Sequence, residues 1–503
     1  MQRPQKRNRE VTKTDNDRKY KNKYNSDADA DVINPDSHNG IQAGERADSS
    51  GTQASKEDRR IYTMSKERPA RAVLRMGVPL TMGMFIMVLY NLTDTYFVGL
   101  IHDDYQLAAV SLAYPVMMVM IAVSNMVGTG ASSLIARCIG ADDWDKANYT
   151  LTAGFELTLF SSLIIAVLGL CFLNPIVAVL GAKSNTAGYT AQYVGALLVG
   201  TFCIMGNYTF GQLLRSEGSV KYSVTGMIVG TVANIILDPI FIFTFKMEVL
   251  GAAVATVLGN LAAMLFELYY YIKRKTLLTP SRRALRPNRE IMAEIFRVGI
   301  PATLETLLTT TAYVVNNNLA VAYGELTVAA MGVSQKLMTL GSYVYQGFAA
   351  GTQPLMGYNY GAGNYTRMLK IMKAGIMITT GIELCIMCVY GIFAPNLIGI
   401  FTETDTVIEI GARVLRANMF ILPFVGSISS SRSTFQAMGK PQYALGITIV
   451  RQLALYIPLL LLFNHAFGFS GLIWAQPVTE CIMMIASVTL LYTTLKKYER
   501  GTV

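Results

Sequence analysis

The stretch Arg75-Met76-Gly77-Val78-Pro79, followed by a long apolar run and closed by Gly140-Ala141-Asp142-Asp143-Trp144, decides the architecture because the chain contains it twice. About 221 residues later Arg297-Val298-Gly299-Ile300-Pro301 opens a second copy, which Gly361-Ala362-Gly363-Asn364-Tyr365 closes, and this distance is far beyond the 20–50 residue periods of solenoids and propellers. The repeat therefore predicts a protein made of two similar halves.

Apolar residues dominate the chain outside its first 70 residues. Of the 503 residues, 52% are hydrophobic and 15% are charged. Apolar runs of roughly 20 residues recur, which is the length a helix needs to cross about 30 Å of hydrocarbon. We therefore predict an all-α polytopic membrane protein. The net charge of +10 does not indicate a nucleic-acid partner, because the basic residues lie in the N-terminal segment and in alternate loops, as membrane orientation signals do.

Twelve apolar segments divide six and six between the two halves. The expected spans are 73–100, 107–136, 149–173, 187–214, 222–245 and 250–272, then 291–322, 328–356, 367–394, 407–435, 442–464 and 470–495. Lys and Arg concentrate in the loops after the even-numbered spans, whereas the alternate loops contain acids such as Asp103 and Glu403. This bias predicts that the basic loops and both termini are cytoplasmic.

Equal topology of the halves constrains how they are related. Each half has an even number of spans and starts on the same side, so we expect a pseudo-two-fold axis along the membrane normal rather than an inverted repeat. The predicted organisation is a disordered N-terminal tail (1–70), a first six-helix lobe (71–272), a basic linker (273–290), a second six-helix lobe (291–497) and a short C-terminal tail (498–503).

The first predicted span contains an acid deep in its apolar run. Tyr90, Asn91 and Asp94 are spaced i, i+1 and i+4 and therefore share one helix face. Ionisable residues inside hydrocarbon are costly, and they usually mark a functional site.

The fifth span contains a second acid on a polar face. Thr231, Asn234 and Asp238 are spaced i, i+3 and i+7, and Pro239 follows at once. Proline cannot donate to the carbonyl of Ile235, so it kinks the helix and frees that oxygen. Carboxylate, amide and carbonyl oxygens at one bend are suitable ligands for a small cation.

The second half lacks both acids. The repeat aligns Asp94 with Asn316, an amide that does not titrate, and Asp238 with the apolar region of Ile457 and Pro458. A coupling cation that binds at these acids is therefore expected in the first half only. The open alternative is that Asp94 and Asp238 merely satisfy neighbouring helices by hydrogen bonding.

Other inner-face residues are candidates for a substrate cavity. Glu305, four residues after Pro301, would attract a cationic substrate, and methionine and tyrosine side chains suit varied apolar cations. Arg451, well inside the eleventh span, is expected to pair with an acid or to extend to the membrane edge. The expected cavity set is Tyr90, Asn91, Glu305, Tyr313, Asn316 and Asn317.

Several motifs together point to one family. They are Gly77-Val78-Pro79, Asn91-Leu92-Thr93-Asp94-Thr95-Tyr96-Phe97-Val98-Gly99, Leu107-Ala108-Ala109-Val110, Gly128-Thr129-Gly130, Arg215-Ser216-Glu217-Gly218, Leu237-Asp238-Pro239 and Gly251-Ala252-Ala253-Val254-Ala255-Thr256. With these motifs the chain beyond residue 70 resembles the multidrug and toxic compound extrusion (MATE) family.

The resemblance implies a twelve-helix exporter with two six-helix lobes in a V, driven by inward movement of H⁺ or Na⁺. The family's first-lobe cation site, with acids on helices one and five, matches Asp94, Asn234, Asp238 and Thr256. We expect no cofactor beyond the coupling ion, and no metal other than Na⁺ at that site. The expected substrates are small organic cations, and the expected setting is a lipid membrane, the cell (inner or plasma) membrane, with the protein as a monomer.

Two other functions are alternatives to export. A flippase for lipid-linked sugars, from the same superfamily, would need a strongly basic central cavity, whereas these spans contain few Lys and Arg. A membrane enzyme would need a cluster of catalytic His, Cys or metal ligands, and the sequence shows none. It also has no Gly-x-x-x-x-Gly-Lys-Ser/Thr motif for ATP.

Overall fold

Helices account for nearly all of the residues that the structure describes. The computed structural model describes residues 53–101, 103–273, 275–280 and 288–500, and these ranges contain helices and no strand. In chain order the helices are α1 (Gln53–Ser65), α2 (Pro69–Gly99), α3 (Asp104–Gly140), α4 (Trp144–Cys171), α5 (Leu173–Val179), α6 (Ser184–Val199), α7 (Thr201–Ser216), α8 (Val220–Pro239), α9 (Glu248–Ile272), α10 (Arg289–Val321), α11 (Glu325–Gly361), α12 (Tyr365–Gly399), α13 (Asp405–Asn418), α14 (Ile421–Ala437), α15 (Pro441–Ile449), α16 (Ile457–Phe467) and α17 (Phe469–Glu499), with π-helical segments at Ile240–Thr244 and Val450–Tyr456.

Each of the twelve predicted spans corresponds to one helix or to consecutive helices. The fourth span consists of α6 and α7, which bend by 52° at Gly200. By length and hydropathy, eight helical segments of the described residues can cross a membrane, or nine with this bent pair counted as one span; one of the eight runs through α15, the π-helical segment and α16. The remaining predicted spans, α10, α11 and the pair α13–α14, are helical but more polar. The all-α membrane fold with twelve spanning helices in two lobes is therefore confirmed.

The turns between helices repeat in both halves with the same local chemistry. The side chain of Asp143 accepts a hydrogen bond from a backbone N–H in the first turn of α4, and the side chain of Asn364 does the same for α12. The residue before each cap has a positive φ, 60° at Asp142 and 68° at Gly363. Such N-caps fix where a helix begins, so the repeat preserves helix starts as well as apolar runs.

We call residues 71–272 lobe 1 and residues 291–497 lobe 2. We call one end of the bundle the basic end because the basic turns lie there: Arg137–Lys146, Arg215–Lys221, Arg367–Lys370 and Arg432–Lys440. Glycines bring the lobes together there. A Cβ added to Gly140 of α3 would collide with the carbonyl of Tyr358 in α11, and one added to Gly361 of α11 would collide with the carbonyl of Arg137 in α3. The two contacts are exchanged between the halves, as the pseudo-two-fold relation requires.

Polar contacts join the lobes at the same end. Glu294 of lobe 2 accepts from Arg137 Nη1 (3.3 Å) and from Lys146 Nζ (2.9 Å), both in lobe 1. Ser133 Oγ donates to the carbonyl of Gln436 at 2.6 Å. An apolar cluster also crosses from lobe 1 to lobe 2, with Met76, Leu80, Phe348 and Leu355 among its buried members. In this conformation the lobes are therefore packed against each other over the basic half of the bundle.

The N-terminal helix α1 contacts both lobes. Arg60 Nη1 donates to Ser219 Oγ of lobe 1 at 3.0 Å, and Asn359 Nδ2 of lobe 2 donates to the carbonyl of Met64 at 2.9 Å. The Met64 side chain is fully buried. The predicted disordered tail (1–70) therefore does not extend to these residues: Met64 is packed in an apolar cluster with residues of both lobes, which composition alone does not reveal. Residues 1–52 lie outside the described ranges.

Candidate cation and substrate site

The end of α8 positions a buried amide beside a buried carboxylate. Asn234 Nδ2 donates to Asp238 Oδ1 at 3.2 Å, and the two residues are 2% and 0% exposed. After Pro239 the helix continues as the π-helical segment Ile240–Thr244 instead of ending. Proline offers no N–H to the carbonyl four residues earlier, and π-helical turns are frequent at functional sites. The shared face predicted for Asn234 and Asp238 thus exists as a hydrogen-bonded pair at a break in the helix.

Close packing of two glycines brings α9 against this polar face. A Cβ added to Gly230 of α8 would lie 2.9 Å from the carbonyl oxygen of Gly259 in α9, and one added to Gly259 would lie 2.8 Å from Asn234 Cβ. Thr256, one turn before Gly259, is 2% exposed and lines the same cavity as Asn234. The predicted association of Thr256 with the α8 pair therefore has a steric basis.

A cavity of about 330 Å³ opens beside these residues, and it is here called the lobe 1 cavity because most of its lining belongs to that lobe, with Tyr343, Gln346 and Ala350 of lobe 2 completing it. Four methionines and two tyrosines provide much of its apolar lining, and amides and threonines provide most of the rest. Its ionisable lining residues are Arg215 and Glu267. The methionines are Met84, Met87, Met117 and Met227, and the tyrosines are Tyr208 and Tyr343.

A second cavity of about 310 Å³, here called the interlobe cavity, is lined by residues of both lobes and contains Glu305. Glu305 is 5% exposed, and its Oε2 lies 3.4 Å from Arg432 Nε and accepts from Gln436 Nε2 at 3.1 Å. The charge of Glu305 is therefore balanced by an arginine of the same lobe. The two cavities adjoin, because Gln212 and Arg215 line both.

Of the other predicted site residues, three have side chains outside the described residues and three lie on α10. Tyr90, Asn91 and Asp94 belong to α2, but their side chains lie outside the described residues, so a short distance between Asp94 and Asp238 stays a prediction. Tyr313 is 45% exposed, and Asn316 and Asn317 are half-buried on α10. None of these three lines either of the two cavities, and their role in substrate binding stays a prediction as well.

Sequence reasoning missed a polar network around the lobe 1 cavity. Asn260 accepts from Asn207 Nδ2 at 2.9 Å and donates to the carbonyl of Thr256 at 2.8 Å. Glu267 lies near the end of its predicted span, and the sequence therefore makes it a weak candidate for a functional acid. In the structure it is fully buried. Residue spacing could have predicted this network, because Thr256, Asn260 and Glu267 fall on one face of an otherwise apolar α9.

Lobe 2 contains an ion pair at its own π-helical irregularity. Arg451 lies in the π-helical segment after α15, and its Nε donates to Glu480 Oε2 of α17 at 2.8 Å. Arg451 and Glu480 are 9% and 2% exposed. The expectation that Arg451 pairs with an acid is confirmed.

Known proteins share both the sequence pattern and this fold. The MatE family model matches residues 79–240 and 301–462, one match in each half. The multidrug export protein MepA of Staphylococcus aureus is 30% identical over 437 residues, which cover 86% of this chain and 96% of that protein.

Solved structures match over a similar extent. The outward-facing conformation of a multidrug resistance MATE family transporter of the MOP superfamily has a TM-score of 0.82 and 29% identity, covering 87% of this chain and 98% of that one. A MOP superfamily transporter from Pyrococcus furiosus, for which a reversed polarity of the binding pocket suggests a different function, matches with the same TM-score of 0.82, the same 29% identity and the same coverage of 87% and 98%.

Proposed function

Because the chain belongs to the multidrug and toxic compound extrusion (MATE) family of membrane transporters, we propose that it is a multidrug exporter coupled to inward movement of H⁺ or Na⁺. The observation that carries the proposal is the buried pair of Asn234 and Asp238 at the proline and π-helical break of α8. A carboxylate buried in a membrane helix is expensive unless a proton, a cation or a hydrogen-bond donor stabilises it. A pair of this kind is therefore suited to bind and release a small cation.

Cation binding would act on the helix break. A proton or Na⁺ held by Asp238, with Asn234, Thr256 and the predicted Asp94 nearby, would favour one bend of α8, and release would favour another. A ligand shifts such an equilibrium only through its different affinity for the two states. In this mechanism substrate and cation compete through conformation and do not need to touch.

The packing at the basic end fits one state of an alternating-access cycle. The positive-inside bias orients this end toward the cytoplasm, so both termini lie on the cytoplasmic side of the cell membrane. The interlobe contacts of Glu294 and of Gly140 and Gly361 would then close the cytoplasmic side. Inward opening would require these contacts to break in every cycle, and we propose that one monomer performs it.

The lining of the two cavities lacks the strongly basic character that an anionic lipid would need. Their ionisable lining residues are two arginines and two glutamates, so the lining is not strongly basic, and Arg432 is already paired with Glu305. The methionine and tyrosine side chains of the lobe 1 cavity can adapt to varied apolar cations. The flippase alternative is therefore not favoured.

Transport by the purified protein in proteoliposomes tests the proposal. A fluorescent cation such as ethidium should accumulate when either a pH gradient or a Na⁺ gradient is imposed, and the gradient that drives uptake identifies the coupling ion. In proteoliposomes without a gradient, the ethidium concentrations inside and outside should only become equal. Failure of both gradients to drive ethidium, together with translocation of a lipid-linked sugar, would contradict the proposal.

A further inference from the structure

Glu267 is a buried acid that the coupling mechanism above does not use. The residue is fully buried in α9, and neither carboxylate oxygen has a hydrogen-bond partner among the described residues. A buried carboxylate without a donor costs several kcal/mol of unrelieved desolvation. Such a carboxylate is a candidate binding site only where a cavity beside it can admit a cation.

Two glycines make the space that this carboxylate occupies. A Cβ added to Gly211 of α7 would lie 2.9 Å from Glu267 Oε1, and one added to Gly226 of α8 would lie 3.0 Å from the same oxygen. Arg215 reaches the same gap, because its Nη1 would lie 3.5 Å from the Cβ added to Gly211. That guanidinium donates to Ser223 Oγ at 2.9 Å, and no ion pair between Arg215 and Glu267 occurs in the described structure. Arg215 thus offsets part of the negative charge of the gap without forming an ion pair with the carboxylate of Glu267.

The cavity beside Glu267 has the chemistry of a site for an amphiphilic cation. Among the residues that line this cavity, Glu267 provides the carboxylate. Asp238 is not a lining residue and accepts a hydrogen bond from Asn234. Methionine thioethers and the Tyr208 ring lie on the same lining, and such groups favour polarizable cations. Glu305 cannot serve in the same way, since Arg432 and Gln436 already bind its carboxylate.

Burial alone does not make such a site, as Glu383 of lobe 2 shows. Glu383 is also fully buried, and both of its oxygens also lack hydrogen-bond partners among the described residues. It lines neither cavity and packs against α14, where a Cβ added to Gly426 would lie 2.5 Å from its Oε2. Glu383 is therefore a matched control for the loss of a buried acid.

We propose that the carboxylate of Glu267 binds the cationic centre of the substrate in the lobe 1 cavity, while Asp238 binds the coupling ion. The inference rests on the proposed function, because it takes an organic cation as the substrate. It separates the two cations in space: the substrate charge lies at the α7–α8–α9 gap, and the coupling charge lies at the α8 break.

Binding of two ions of the same shape and opposite charge tests this assignment. Tetraphenylphosphonium and tetraphenylborate are titrated against the purified full-length protein without any gradient. Glu267→Gln should weaken phosphonium binding at least tenfold and should not weaken borate binding, whereas Glu383→Gln should leave both within twofold. Equal phosphonium affinity of Glu267→Gln and the native protein, or equal weakening by Glu383→Gln, would overturn the inference. Absence of phosphonium binding by the native protein would instead overturn the proposed substrate class, and this inference with it.

A second measurement needs no variant and so does not depend on how Glu267→Gln folds. A hydrophobic carbodiimide labels acids in apolar surroundings, and mass spectrometry of the native protein then compares the peptides that contain Glu267 and Glu383. Tetraphenylphosphonium should protect Glu267 from labelling and leave Glu383 unchanged, and tetraphenylborate should protect neither. Unchanged labelling of Glu267 at a saturating concentration of phosphonium would contradict the proposed site.

Discussion

The two lobes share one fold but treat their buried acids in different ways. In lobe 2, Glu480 is paired with Arg451 and Glu305 with Arg432, and the third buried acid, Glu383, has no such pair among the described residues but lines neither cavity. In lobe 1, Asp238 accepts from the neutral amide of Asn234, and Glu267 faces a cavity. A guanidinium keeps its charge at every physiological pH, so it fixes the charge of the acid beside it. The two lobes therefore share their helix geometry, but within the described residues only lobe 1 places acids that can bind and release a cation beside the α8 break and the lobe 1 cavity.

Each half has a π-helical segment near a proline. In lobe 1 the segment follows Pro239, and in lobe 2 it ends at Tyr456, before Pro458. Asp238 directly precedes Pro239 in lobe 1, whereas the lobe 2 segment itself contains Arg451. A similar break in the helix therefore carries an acid in one half and an ion pair in the other.

The largest effect on stability should come from breaking the ion pair of lobe 2. Arg451→Met leaves Glu480 buried without its partner, which should lower the free energy of unfolding by about 3–5 kcal/mol, while replacing both partners should restore most of it. Unfolding in detergent by titration with a denaturant measures the difference between Arg451→Met and the double variant Arg451→Met, Glu480→Leu. A single variant as stable as the native protein would show that the pair is not a structural element.

An intermediate effect is expected at the interlobe glycines. Gly140→Ala and Gly361→Ala each place a methyl group against a backbone carbonyl of the other lobe, and overpacking of this kind typically costs about 1–3 kcal/mol. Distances between spin labels at Asp145 and Lys370 should shift toward separation of the basic ends in both variants.

The matched control is Gly381→Ala in α12, because a Cβ added there meets nothing within 4 Å. It should leave the distance distribution unchanged. Because the two glycine contacts are exchanged by the pseudo-two-fold relation, a large effect at Gly140 with none at Gly361 would contradict the symmetry of the interface.

The smallest effect is expected from the second-lobe position that corresponds to Asp94. Asn316 does not titrate and lines neither described cavity, so Asn316→Ala should change gradient-driven transport by about threefold or less. Initial rates of ethidium uptake into proteoliposomes measure this. Complete loss of uptake would place an essential residue in lobe 2 and remove the contrast between the lobes.

Much of the fold was predictable because it depends on local sequence. Apolar run length locates the spans, and the spacing of Asn234 and Asp238 predicts that their side chains can meet within one helix. The pairing of Glu305 with Arg432 was not predictable, since those residues are far apart in sequence and meet only through packing. The cavity beside Glu267 depends on two glycines of other helices, and α1 has too few apolar residues to distinguish it from a disordered tail.

Gradient-driven uptake by the lobe 1 acid variant tests the central claim most directly. Proteoliposomes containing the double variant Asp94→Asn, Asp238→Asn are compared with native protein and with Glu383→Gln, under the gradient that drives the native protein. The account predicts that the double variant takes up no more ethidium than protein-free liposomes, still binds tetraphenylphosphonium, and that Glu383→Gln transports normally. Full uptake by the double variant would contradict the assignment of coupling to lobe 1 and would direct the search to Glu305.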